Sequence, residues 1–132
     1  MIEIGQSASF SKTITESDIS TFAGLTGDFN PIHINQQEAE QSIFGRRIAH
    51  GMLSASLIST VIGMYLPGKG AIYLGQNIQF KEPVDIGDTI TAQVTVDEII
   101  NKEKGIIRLK TQCLNQKGVL VIDGDAVVKY KD

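Results

Sequence analysis

The sequence has no tryptophan, a single cysteine, three prolines and only 6% aromatic residues. A lone Cys113 has no partner for an internal disulfide and no Cys or His neighbour at metal-ligand spacing. It reads as a core thiol in a reducing compartment. Positive charge is not in excess either: 12 basic and 15 acidic residues, spread along the chain, leave a net charge of −3. No basic stripe is present to release counterions from a phosphate backbone, so no nucleic-acid partner is expected. The opening MIEIGQSASF has neither the basic nor the apolar region of a secretory signal, and the closing YKD is no peroxisomal address. The expected location is therefore cytoplasmic. The uncharged run from Ile48 to Pro67 approaches the length of a membrane span, but Ser54, Ser56, Ser59, Thr60 and two glycines interrupt it. It reads as a buried helix of a protein with no membrane partner. Linkers, internal repeats and low-complexity segments are absent too, so residues 1–132 are expected to form a single domain.

What is present is a clear change of pattern along the chain. IEIGQSASFSKTIT alternates loosely, as a half-buried strand does. Thr15 stands three residues before Asp18, which is the spacing of a capping box at the start of a helix through ESDISTFAGL. Ile19, Phe22, Ala23 and Leu25 form its apolar side, and Gly24 and Gly27 end it. Asn35 caps a second short helix, QQEAEQS, with Glu38 placed to reach back to the cap. From Gly51 to Leu66 the chain carries no charged residue, so no face of this helix suits water. At 1.5 Å per residue it spans about 24 Å and must be wrapped by other elements. After Pro67-Gly68-Lys69-Gly70 the pattern turns to four extended runs, AIYLGQNIQF, TITAQVTVDEII, GIIRLKTQCLNQ and GVLVIDGDAVVKY. Their connections are too short for helical crossovers, so they pair antiparallel. The expected fold is α+β: an antiparallel five-stranded sheet wrapped around one long central helix, the hot-dog arrangement.

The stretch GLTGDFNPIH, Gly24 to His33, concentrates turn formers and ionisable groups between two apolar segments. Taken alone, Asp28 and Asn30 either cap a turn with His33 packed beneath it, or carry an acid and a base for proton transfer. Pro31 fixes one backbone angle and restrains Asn30, and Gly27 permits unusual dihedrals, so the loop can aim both side chains at one water. His50, just before the central helix, suits a loop-fixing hydrogen bond, with a second catalytic base as the alternative. Asp28, His33 and His50 are also the residue types of a two-His-one-Asp metal site, but no further ligand or supporting pattern accompanies them, and no metal is expected. Lys69, Arg46 and Arg47 read as solvated surface charges rather than phosphate ligands.

Phe22, Leu25, Thr26, Gly27, Asp28, Asn30, Pro31, Ile32, His33 and Ala39 follow the signature of the MaoC-like (R)-specific enoyl-CoA hydratases, the hydratase 2 family, which this chain resembles. The resemblance extends to FGRRIAHGML and FKEPVDIGD, and three ordered blocks are far more specific than one. It implies a hot-dog homodimer that reversibly adds water to trans-2-enoyl-CoA to give the (R)-3-hydroxyacyl-CoA. It also implies Asp28 and His33 as the catalytic pair and the Gly51 N–H as oxyanion donor. Gly51 opens the buried helix, where free N–H groups and the dipole favour a developing anion. By the same resemblance Ser59 lies beside the catalytic pair on the substrate side, with a bond to its own helix carbonyl as the alternative. Asn30 holds the loop against substrate without reacting. No cofactor is implied, since CoA is part of the substrate. A hot-dog acyl-CoA thioesterase is the competing enzyme, but such enzymes generally place an acid on the central helix, and Gly51 to Leu66 contains none. A noncatalytic acyl-CoA-binding module would not need Asp28 and His33 together.

Overall fold

A computed structural model describes residues 1–131. The chain runs β1 (Ser7–Thr13), α1 (Glu16–Thr26), α2 (Pro31–Ile34), α3 (Gln36–Glu40), α4 (Gly51–Met64), β2 (Ile72–Phe80), β3 (Thr89–Asn101), β4 (Ile106–Leu114) and β5 (Leu120–Lys129). All five strands pair antiparallel in one sheet of order β1-β3-β4-β5-β2. The meander β3-β4-β5 follows from its tight connections. The order also places β1 and β2 at opposite edges, which the short connections alone do not specify. The 81–88 segment crosses from the β2 edge back to β3, about 14 Å at the usual strand spacing, well within the reach of eight residues.

Packing explains why this sheet wraps α4. Along β3, Ile90, Ala92, Val94 and Val96 are buried at every second position, and Ile107, Leu109, Thr111 and Cys113 do the same along β4. This period-two face meets Leu57, Ile58, Val61 and Ile62 of α4. Burying each such aliphatic side chain is worth about 1.5–3 kcal/mol, so the helix and sheet stabilise one another rather than folding alone. α1 starts as its sequence predicts: Asp18 N–H donates to Thr15 Oγ1 at 3.1 Å and Thr15 N–H to Asp18 Oδ2 at 2.9 Å. Gly27, at φ +82°, closes it, while Gly24 lies inside the helix and Leu25 is exposed.

Two expectations are corrected here. α4 ends at Met64 rather than Leu66, and it is not covered on all sides. Met52, Ser56, Ser59 and Gly63, spaced four, three and four residues apart, form an exposed stripe. A five-stranded sheet curls around only part of a helix, so this uncharged stripe is left bare. The helix α2 is also an addition. Pro31 occupies its first turn and Asn30 Oδ1 accepts from Ile32 N–H at 3.3 Å, so the signature stretch is partly helical rather than a plain loop. Asn35 caps α3 through Glu38 N–H at 3.0 Å, as expected, but α3 ends at Glu40, and Asn35 N–H donates to Pro31 O at 2.8 Å rather than receiving the expected reach-back of Glu38.

Candidate active site

The segment from Thr26 to His33 is held by a succession of local bonds. Thr26 Oγ1 donates to Phe22 O at 2.7 Å and accepts from Asp28 N–H at 3.2 Å. Asp28 Oδ1 accepts from Asn30 N–H at 3.2 Å, and His33 N–H donates to Asn30 O at 2.9 Å. Short polar side chains thus satisfy the backbone of a tight turn, as Asx and Ser/Thr turns do. The turn reading is realised, and the same loop brings the Asp28 and His33 side chains together: Asn30 shapes it through its bonds to Asp28 and His33.

Asp28, His33 and His50 each offer an oxygen or nitrogen, and these atoms lie within 4.8 Å of one another. Asp28 is exposed, whereas His33 and His50 are 9% and 2% accessible. His33 Nδ1 lies 2.8 Å from Ile48 O. A carbonyl only accepts, so Nδ1 carries the proton and Nε2 is left with its lone pair. Burial is the main cause that pushes the His33 imidazole below its ordinary 6.5; the Ile48 bond opposes it, His50 adds to it and the Asp28 carboxylate opposes it. At neutral pH this ring is a neutral acceptor beside a carboxylate, which is what activation of one water requires.

The other two blocks of the signature converge on the same place. Ala49 N–H donates to Val84 O at 2.8 Å, and Ile48 forms an isolated bridge with Asp85. Arg47 is engaged rather than solvated, against the expectation from sequence, whereas Arg46 is an exposed charge, as expected. Arg47 donates to His33 O at 2.8 Å and grips both oxygens of Glu16, with its side chain only 14% exposed; Arg46 pairs with Asp85 and with Phe44 O. The forked guanidinium of Arg47 thus joins its own loop to the start of α1 and to the backbone of α2. Lys69 remains an exposed charge.

Gly51 is the first residue of α4, a position whose N–H has no intrahelical acceptor. A Cβ there would lie 2.6 Å from Phe80 Cε1, so the ring of β2 closes directly over the helix start. Phe80, Phe44, Ile48 and Pro83 line an apolar cleft of about 230 Å³, with Lys81 and Glu82 at its edge. The phenylalanines carry no motif of their own, and nothing but their place in the blocks of the resemblance points to them. Ser59 sits on the bare stripe, about 12 Å along the helix from Gly51 by helical rise. Ser56 and Thr60 donate back to the carbonyls of Met52 and Ser56, whereas Ser59 makes no such bond among the described residues.

A family model, the MaoC like domain, matches residues 2–116. The (R)-specific enoyl-CoA hydratase of Rhodospirillum rubrum is 54% identical over 96% of this chain and 87% of its own length. The enzyme of the same name from Aeromonas caviae is 46% identical over 97% and 95%. Among solved structures, the (R)-hydratase from A. caviae involved in PHA biosynthesis superposes with a TM-score of 0.93 at 45% identity, covering 98% of each chain. The unliganded R-hydratase from Pseudomonas aeruginosa gives 0.92 at 41%, covering 99% of this chain and 83% of that one.

Proposed function

The chain belongs to the MaoC like domain family, and on that premise we propose that it is an (R)-specific enoyl-CoA hydratase, a lyase acting on a CoA thioester. The observation that carries this reading is the pairing of the Asp28 carboxylate with a neutral His33 whose Nε2 is free. One water is held between the two groups. As its oxygen bonds to C3 of the trans-2-enoyl thioester, Asp28 takes its proton and returns a proton to C2, while His33 orients the water. The roles of the pair are exchangeable in principle, because coupled groups titrate as a unit. The negative charge that develops on the thioester oxygen meets the Gly51 N–H and the positive end of α4, where such donors contribute most. Asn30 keeps the loop in register with the substrate, and Ser59 lines the substrate side along the exposed stripe.

The helix α4 contains no acidic residue, which disfavours the thioesterase reading, and a binding module has no use for a paired acid and base. The protein works as a homodimer in the cytoplasm, in fatty-acid metabolism, with no cofactor beyond the CoA of its substrate. Support for the dimer comes from exposed Ile72, Leu74 and Phe80 on edge strand β2 and from the bare stripe of α4. No helix of the described residues is long and apolar enough to cross a membrane. The decisive experiment follows loss of absorbance of the conjugated enoyl thioester over a chain-length series, with chiral analysis of the product. An (R) alcohol is expected; an (S) alcohol, or release of free CoA as the main reaction, overturns the assignment. Activity should also survive exhaustive dialysis against a chelator, because the Asp28, His33 and His50 cluster is read as a proton-transfer site.

A further inference from the structure

His50 lies outside the catalytic pair, yet it touches both members. Its Nε2 is 2.9 Å from the main-chain carbonyl of Asp28, and its ring stacks on that of His33 at a centroid distance of 4.0 Å and an angle of 28°. Phe22 of α1 packs a tilted ring against His50 as well, at a centroid distance of 4.9 Å. His50 is also the N-cap residue of α4, immediately before Gly51. From these contacts we propose that His50 is a positioning residue, which fixes the Asp28 loop against the His33 ring and against the start of α4.

The chemistry follows from what each partner can do. The Asp28 carbonyl only accepts, so His50 carries its proton on Nε2 and donates it. Its Nδ1 is then the bare nitrogen, and it is buried without a partner among the described residues. The hydroxyl of Ser54, one helical turn along α4, is likewise fully buried and unpartnered. The two histidines therefore hold opposite tautomers: Nδ1–H in His33, directed to Ile48 O, and Nε2–H in His50, directed to Asp28 O. A stacked ring that holds one catalytic residue by its main chain and the other by its face sets their separation. Displacements of about 1 Å in such a geometry lower turnover on the order of a hundredfold.

This inference rests on the hydratase reading for its kinetic arm and is independent of it in its spectroscopic arm. With two histidines in the chain, the ring nitrogens of the wild-type protein can be assigned by ¹⁵N NMR. One Nδ1–H and one Nε2–H ring are expected, and a proton on Nδ1 of His50 overturns the proposal whatever the protein catalyses. The kinetic arm compares His50→Phe, which keeps a stacking ring without the donor, with His50→Gln, whose amide nitrogen falls near the place of Nε2. His50→Phe should lower kcat by about tenfold to a hundredfold while KM stays within about threefold. His50→Gln should restore most of kcat. Wild-type kcat in His50→Phe, or equal loss in both variants, reduces His50 to packing and sinks the proposal. If either variant does not fold, the NMR result on the wild-type chain decides. Absence of hydration in the wild-type protein, with both tautomers as expected, would reject the hydratase reading and leave the His50 geometry standing.

Discussion

At the scale of single residues, the pairing of Asp28 with His33 makes the sharpest prediction. If both hold one water, Asp28→Asn and His33→Gln each lower turnover by about a hundredfold or more, the scale of positioned acid–base groups. The double variant should be little worse than either, because groups acting on one proton transfer are not additive. Near-normal turnover in one folded single variant would leave the stretch as a turn only. The pH profile has a definite sign. His33 is held below 6.5, chiefly by burial, so its neutral form persists to lower pH than in a free imidazole. The acid limb of kcat/KM should therefore lie below pH 6.5, and a limb at or above that value contradicts the buried geometry. The same shift links to stability: below 6.5 the unfolded chain binds a proton that the native ring resists, so this contribution falls as pH drops through the window between the two values. Cys113, fully buried on β4 and pushed up to about 12 by burial, should resist thiol reagents at pH 8 until the protein unfolds.

At the scale of elements, Gly51 and Phe80 form one unit although they lie 29 positions apart in the chain. Gly51→Ala places a methyl group against the Phe80 ring, which must turn aside. A stability loss of about 1–3 kcal/mol is expected, the usual cost of overpacking, together with a lower kcat/KM as the helix start is displaced. Phe80→Leu in the Gly51→Ala background should recover stability; failure to do so would place the strain elsewhere. Elements whose signals are local were legible in the sequence: the Thr15 to Asp18 capping box, the four late strands within one or two residues, and Asp28 with His33. Contacts made across the chain were not. The sequence pattern of β2 is that of any half-buried strand, so its place at the far edge beside β5 depends on how the 81–88 segment crosses. Arg47 reads as a surface charge because nothing near it in sequence announces Glu16 or the His33 carbonyl. The bare stripe of α4 is not legible in the sequence for a related reason: an uncharged helix looks equally apolar all round, and only the finite width of the sheet decides which side stays open.

At the scale of the whole molecule, two of the apolar surfaces among the described residues bear on assembly. One is β2, an edge strand with Ile72, Leu74 and Phe80 more than half exposed. The other is the α4 stripe, where Met52 and Met64 are 55% and 69% exposed beside uncharged Ser56, Ser59 and Gly63. An edge strand of this kind invites uncontrolled pairing unless another strand covers it. Pairing β2 with its copy about a two-fold axis satisfies the edge with the same residues on both sides, the self-complementary contact that two-fold symmetry demands. A second chain paired there is expected to approach the α4 stripe, on which Ser59 lies, with the acyl-CoA near the junction of the subunits. Sedimentation should accordingly give twice the chain mass of 14.3 kDa. Leu74→Lys puts a charge, with its desolvation cost, into the pairing edge and should shift the protein towards the single-chain mass. Activity should fall in step with the dimer population and recover as protein concentration is raised. A Leu74→Lys protein that sediments as a single chain and keeps full turnover would show that one subunit holds the complete site.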